Sequence, residues 1–215
     1  MAPSRGLFIT LEGGEGAGKT LQLDALTREL ERAGHHVVCT REPGGTPLGE
    51  RLRDLLLDLS AGEHHLALDP LSETFLFAAA RAELVAQVIA PALERGAAVI
   101  CDRFGDSTLA YQGYGRGVPL DVIERANAAA TRGLVPDLTV LLDLPPADGL
   151  ARTRGAGAAD RFEREDIAFH ERVRAGYLEL AAREPGRWLV VDASRSVTEV
   201  TQAIWARLER LLASR

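Results

Sequence analysis

Five short apolar runs recur along the chain, and each reads as a strand. They are residues 7–11 (Leu-Phe-Ile-Thr-Leu), 36–40 (His-Val-Val-Cys-Thr), 97–101 (Ala-Ala-Val-Ile-Cys), 138–142 (Leu-Thr-Val-Leu-Leu) and 187–191 (Arg-Trp-Leu-Val-Val). They are rich in β-branched or aliphatic residues and show little polar alternation, which predicts strands covered on both faces. Between them the apolar positions fall at helical spacing, giving helices at about 18–33, 47–59, 70–94, 119–132, 145–153, 165–184 and 197–213. Strands separated by helices imply right-handed crossovers. The expected architecture is therefore α/β, a five-stranded parallel sheet flanked by helices in three layers.

Several helix ends carry their own signals. Asp69-Pro70 reads as an N-cap followed by proline at the first helical position, and Ser196 with Glu199 forms a capping-box pattern. Val197, Val200, Ile204, Leu208 and Leu211 then line one face of the last helix. Pro91, inside a long apolar helix, should kink or end it. Gly155-Ala156-Gly157-Ala158-Ala159 reads as a surface loop of small residues.

Composition narrows the class. A chain of 215 residues is most economically one domain spanning 1–215, and 46% hydrophobic with 26% charged residues is the balance of a soluble globular protein. No apolar run approaches the roughly 20 residues needed to span a bilayer, and Met1-Ala2-Pro3-Ser4-Arg5 leads into the first strand without a secretory core, so the expected location is cytoplasmic. Net charge of −6 argues against a partner held through a broad basic face, whether nucleic acid or membrane. Any anionic ligand must then be gripped by a local cluster. Cys39 and Cys101 lack metal-ligand or CxxC spacing and read as buried free thiols of a reducing compartment. The pairs His35-His36 and His64-His65 read as solvated.

One cluster of that kind stands directly after the first strand. Gly13-Gly14-Glu15-Gly16-Ala17-Gly18-Lys19-Thr20 fits the pattern glycine, four residues, glycine-lysine-threonine, and Leu21, Leu23, Leu26 and Leu30 follow at roughly helical spacing. Strand, glycine loop and helix start come in the order a P-loop NTP hydrolase fold requires. The loop can converge successive N–H groups on one anion, and the helix adds its positive end. Lys19 supplies a charge for the outer phosphates of a nucleoside triphosphate, and the Thr20 hydroxyl can hold Mg²⁺.

Two further strand ends carry charge. Arg41-Glu42-Pro43-Gly44-Gly45-Thr46-Pro47 leaves the second strand at its carboxyl end, the edge where open α/β sheets bind ligands, so Arg41, Glu42 and Arg53 should face the crevice of the glycine loop. Ala97–Cys101 runs into Asp102-Arg103. An acid at the end of an apolar strand is placed to support a magnesium ion, and Arg103 beside it suits two-pronged phosphate binding.

Together with Phe77-Ala78-Ala79-Ala80-Arg81, Asp102-Arg103-Phe104, Ser107-Thr108-Leu109-Ala110-Tyr111-Gln112-Gly113 and Pro136-Asp137-Leu138-Thr139, these pieces resemble the thymidylate kinase family, in the family's order from residue 7 to about 180. The resemblance implies transfer of the γ-phosphoryl group of ATP to dTMP, giving ADP and dTDP for dTTP synthesis. It implies that Phe77 stacks on thymine and Arg81, on the same helical face, hydrogen-bonds the base. Thr108 and Gln112 would contact base or sugar, and Tyr111 would lie where a ribose 2′-hydroxyl would project. Arg53 and Arg103 would take the acceptor phosphate, with Glu42 near its sugar or the metal.

The variable loop positions Gly14, Glu15, Gly16 and Ala17 carry no cation, so the resemblance is to the bacterial branch with a basic lid. That lid lies at about 152–164, with Arg152, Arg154 and Arg161 as candidates to reach the transferred phosphate. A homodimer built through helices flanking the sheet is also implied; the apolar helix at 70–94 offers a face for it, and core packing accounts for that helix equally. The competing readings are a kinase for another nucleotide or deoxynucleoside and a GTPase-type switch or motor. No Asn-Lys-x-Asp motif is present for a GTPase, and the net charge disfavours a nucleic-acid motor.

Overall fold

The computed structural model describes residues 5–57, 68–154 and 160–213. His64-His65, the Gly155–Ala159 loop and residues 58–59 of the expected second helix lie outside the described residues. Five strands, β1 (Phe8–Glu12), β2 (Val37–Arg41), β3 (Ala98–Asp102), β4 (Leu138–Asp143) and β5 (Trp188–Asp192), form one parallel sheet in the order β2-β3-β1-β4-β5.

The sheet sorts β1 by the side-chain period of two. Leu7, Ile9 and Leu11 pack with Leu26 and Leu30 of α1 (Lys19–Arg32) and with Val200, Ile204 and Leu208 of α9 (Val197–Ala213). Leu26 and Leu30 are fully buried, and each contributes about 2 kcal/mol of transfer free energy. Phe8 faces the other way, onto Leu84, Ile89 and Phe104. That second layer holds α3 (Pro70–Leu84), α4 (Ala90–Glu94), α6 (Leu120–Thr131) and α8 (Ile167–Arg183).

Strand cover depends on place in the sheet. β1, β3 and β4 are buried along nearly their whole length, whereas β2 and β5, at the sheet edges, are partly exposed. The expectation of strands covered on both faces therefore fails at both edges. Cys39 on β2 is exposed, which corrects its reading as a buried thiol; Cys101 on β3 is buried.

Both predicted caps form. Asp69 Oδ1 accepts from Leu71 N at 2.9 Å, and Ser196 and Glu199 exchange side-chain to backbone hydrogen bonds at 3.1 and 3.3 Å. Of the residues expected along one face of α9, Val200, Ile204 and Leu208 are buried and Val197 is 45% exposed. Pro91 does not end its helix. A π-helical segment, Val85–Ile89, comes before it, and the wider turn relieves the clash between the proline ring and the carbonyl four residues back. By length and composition the continuous helix Pro70–Glu94, 25 residues with an 18-residue stretch of mean hydropathy 1.5, is long and apolar enough to cross a membrane, which corrects the expectation that no run approaches that length. Its apolarity has a packing reason, because Ala80, Leu84, Val85, Ile89 and Leu93 are all buried in the second layer.

The register aligns the strand ends that matter. Arg41 and Leu11 both pair with Asp102, and Glu12 pairs with Leu141, so the carboxyl ends of β2, β3 and β1 stand side by side at one edge. The helix following β3 begins there as α5 (Gly105–Thr108) and continues as a second π-helical segment, Leu109–Gly115, where the apolar pattern predicts no element.

Candidate functional site

At that edge lies a cavity of about 720 Å³. Its floor is the loop between β1 and α1. Gly16 has φ +66°, and a Cβ there would lie 2.2 Å from the carbonyl oxygen of Gly149 on α7 (Pro146–Thr153), so only glycine lets the loop rest on that helix. Gly18, at φ +89°, is the N-cap of α1 and offers no side-chain cap. The first-turn N–H groups are thus left to an anion rather than closed by the protein. Lys19 is buried and donates to the carbonyls of Gly13 and Gly14 at 3.2 and 2.9 Å. Burial lowers its pKa and Arg103 adds to that, while Glu15 and Asp102 work in the opposite direction.

Arg103 ties this floor to the opposite wall. Its φ of +68° is uncommon for a side-chain-bearing residue, a strain on the order of 1–3 kcal/mol. Its N–H donates to Leu11 O at 2.9 Å, and its guanidinium donates to Glu15 Oε1 at 2.8 Å and stands 4.9 Å from the Tyr111 ring centroid. The Tyr111 hydroxyl donates to the same Glu15 oxygen at 2.8 Å. Burial alone would raise the Glu15 carboxyl, but Arg103, Lys19 and the Tyr111 hydrogen bond outweigh it and hold the group at about 2.

Beneath them, Glu12 ends β1. Phe104 N–H donates to its Oε1 at 2.8 Å, and the hydroxyls of Ser107 and Tyr177 reach its Oε2 at 2.5 and 2.9 Å. Burial, helped by Asp106, pushes its carboxyl up to about 7 against the pull of Ser107, Arg103 and Tyr177.

The far end of the cavity is made of side chains from separate elements. Arg81 on α3 is 1% exposed and forms a forked ion pair with Glu42, with Nε 2.9 Å and Nη2 2.6 Å from Glu42 Oε2. It also donates to Asn127 Oδ1 at 2.6 Å and to Thr108 Oγ1 at 2.8 Å. Phe77 stands on the same wall, its ring centroid 6.1 Å from that of Phe162. Gln112 donates its amide to Glu73 Oε1 at 2.7 Å. Arg53, from α2 (Pro47–Leu57), lines the cavity and donates to Pro43 O at 2.9 Å.

All eight residues of the expected acceptor site, Glu42, Arg53, Phe77, Arg81, Arg103, Thr108, Tyr111 and Gln112, therefore meet at one cavity with Lys19, Thr20 and Asp102. Arg41 lines it too, but its guanidinium is engaged by Glu50 at 2.8 and 3.0 Å. The three lid arginines do not stay together. Arg152 lies beside the glycine loop, 3.4 Å from Gly16 O; Arg161 turns to Glu73; Arg154 is exposed and is not among the cavity residues.

Sequence reasoning missed Glu12, Glu73, Asn127, Asp160, Tyr177 and Arg195. For Glu12 a signal existed, because it ends an apolar strand as Asp102 does. Glu73 and Asn127 stand on ordinary helical faces and carry no local mark.

A parallel sheet of this order, with a glycine loop, lysine and threonine entering the helix after its central strand, defines a P-loop nucleotide-binding protein. The acceptor wall narrows the class, and likeness to other proteins narrows it further. The thymidylate kinase family model matches residues 11–204. Thymidylate kinase of Deinococcus radiodurans is 55% identical over 203 residues, covering 94% of this chain and 96% of that one. Thymidylate kinase of Synechococcus sp. strain JA-3-3Ab is 54% identical over 209 residues, covering 97% and 98%. The crystal structure of thymidylate kinase from Ehrlichia chaffeensis superposes with a TM-score of 0.75 at 35% identity, covering 95% of this chain and 99% of that one. The chain belongs to the thymidylate kinase family. It is accordingly an enzyme that phosphorylates dTMP with ATP as co-substrate.

Proposed function

We propose that the triphosphate of ATP lies on Gly13–Thr20 while dTMP occupies the far end of the same cavity, its base against Phe77, Arg81 and Gln112 and its phosphate at Arg53 and Arg103. The supporting observation is the single cavity of about 720 Å³ that joins the glycine loop to the Arg81 wall, with Arg103 at the join. An oxygen of the dTMP phosphate attacks the γ-phosphorus of ATP; the new P–O bond forms as the bond to the β,γ-bridging oxygen breaks, and ADP leaves with that electron pair. The second pKa of a phosphate monoester is about 6, so the attacking oxygen is already ionised at neutral pH and no general base is needed. The protein's task is to hold two polyanions in line and to stabilise the charge on the moving group.

Lys19 gives up the Gly13 and Gly14 carbonyls for the outer phosphates, a short movement for an ammonium already inside the loop. Arg103 holds the acceptor phosphate, and Glu15 orients Arg103. Tyr111 packs against the sugar and Thr108 stands beside the base. Arg152, beside Gly16, is the cation we assign to the transferred phosphate, with a basic lid at about 152–164 carrying it; Arg154 follows it in the same lid, and Arg161 belongs to the acceptor end.

The residues present fit Mg²⁺. Asp102 Oδ1 is buried with no hydrogen-bond partner among the described residues, and Thr20 lines the same cavity. Both offer oxygen, the donor a hard cation takes. Among the described residues no cluster of three His, Cys, Asp or Glu could cage a metal, so phosphate oxygens and water would complete the shell. Held by Asp102 and Thr20, such an ion would supply positive charge against the phosphates.

The lid, the glycine loop and both ends of the cavity are read as parts of one domain, 1–215. A homodimer is proposed through α2 and α3, where Leu48, Leu55, Leu71 and Phe75 are each more than 40% exposed. Light scattering that finds only a 23.1 kDa species at micromolar concentration removes this assembly. The free thiols of Cys39 and Cys101 suit the cytoplasm as its place of work.

The site is tested by a coupled ADP-release assay over dTMP, dUMP, dCMP, dGMP and thymidine. The expected result is dTMP well ahead of the others; equal rates on several monophosphates reject the proposed base site.

A further inference from the structure

Glu73 takes no part in the reaction as set out above, yet it is 1% exposed in a wall where charge is costly to bury. One oxygen accepts from Gln112 Nε2 at 2.7 Å; the other pairs with Arg161 at the end of the lid segment, and Arg116 Nε stands 3.6 Å from the first. Arg161 is itself fixed by donating to Leu56 O at 3.1 Å, and Phe162 beside it packs 5.5 Å from Tyr111.

A carboxylate between two guanidiniums presents only acceptors, whereas a glutamine amide has a donor end and an acceptor end of nearly equal shape. Contact with Glu73 therefore decides which end of Gln112 is used internally. The NH₂ group goes to Glu73, and the carbonyl oxygen is the polar atom that remains for the cavity Gln112 lines.

We infer that Glu73 is a positioning residue for base selection: it locks the Gln112 amide with its oxygen toward the acceptor, where that oxygen takes the N3–H of thymine and rejects cytosine, whose N3 bears no proton. The inference rests on the reading of Gln112 as a base contact. Thymine and uracil share N3–H, so the device separates these two from cytosine and does not separate them from each other. Because Arg161 holds the same carboxylate, the lid end and the base-reading amide are fastened at one point.

The test compares kcat/KM for dTMP, dUMP and dCMP in wild type, Glu73→Gln, Glu73→Asp and Gln112→Ala. Glu73→Gln lets either amide turn over. Glu73→Asp keeps the charge between Arg116 and Arg161 but withdraws the oxygen from Gln112, so it serves if the first variant fails to fold. In both, the dTMP to dCMP ratio should fall about tenfold to hundredfold, as for an amide no longer held in one sense. The loss should be carried by the KM for dTMP, with the KM for ATP and the dTMP to dUMP ratio unchanged. A wild-type dTMP to dCMP ratio in folded Glu73→Asp, with the ratio lost in Gln112→Ala, overturns the role of Glu73 alone. A wild-type ratio in Gln112→Ala as well overturns both that role and the base contact beneath it.

Discussion

At the proposed phosphate end of the cavity the lining comes from one unbroken stretch, Glu15–Thr20, and the groups assigned to the ligand there are mostly backbone N–H groups. At the nucleobase end they are side chains from different elements, and the two pairs that hold that wall, Glu42 with Arg81 and Glu73 with Gln112, each join residues 39 positions apart. A glycine loop leaves its donors unmatched because the helix N-terminus has no further carbonyls to accept from it. The base wall follows the opposite rule, since a guanidinium or carboxylate buried to 1% exposure must be matched inside the protein before any ligand arrives. In the proposed site, anion binding is thus stored in unpaired backbone and base discrimination in paired side chains. The first should tolerate loss of a side chain with little change in stability; the second should not.

The largest expected effect falls on the base wall. Glu42→Ala leaves the Arg81 guanidinium buried without its carboxylate and should destabilise the protein by about 3–5 kcal/mol, whereas Lys19→Ala should change stability far less and abolish most turnover. Urea unfolding of both variants checks the contrast; equal stability losses would erase the distinction between the two ends. Arg103→Ala comes next, because this residue stands between them. Losing a charge-assisted phosphate contact should weaken transition-state binding of dTMP by roughly 1.5–3 kcal/mol with the fold intact, read as kcat/KM. Unchanged kinetics would remove Arg103 from the site.

A more gradual effect, spread over several pH units, is a pH dependence beneath the loop. Glu12 is pushed up from 4.5 to about 7 by burial and Asp106, so between those values the folded chain holds a proton that the unfolded chain has released. Stability from this group is present below pH 4.5 and declines as pH rises toward 7, at no more than about 1.4 kcal/mol per pH unit. Glu15, held at about 2 by Arg103 and Lys19 against the effect of burial, acts in a separate window: its contribution is present above pH 4.5 and is lost as pH falls toward 2. Urea unfolding at pH 5 and pH 7 should show Glu12→Gln with the shallower decline; parallel slopes would mean Glu12 does not titrate there.

Part of this site is legible in the order of residues along the chain. The glycine loop, Asp102 and Arg103 announce themselves because strand, turn and helix start are neighbours in the chain. Glu12 obeys the same strand-end rule but is hidden beside the glycine motif. The edge strands are not legible, since an apolar run of five residues looks the same at the centre of a sheet and at its rim; the expectation of a buried Cys39 fails for that reason. The second π-helical segment, which carries Tyr111 and Gln112, lacks a 3.6-residue stripe because it is buried along nearly its whole length.

By itself the sequence determined the five strands and their helical connections, the anion-binding loop and the acidic strand end beside it, because each is written in residues close enough to interact along the chain. Tertiary structure alone decided strand order, which side chain matches which buried charge, and where each lid arginine goes. Arg152 and Arg161 are nine positions apart, yet one meets the glycine loop and the other meets Glu73. The physical reason is that desolvation makes a buried charge depend on whichever partner the fold delivers, and that partner comes from another element.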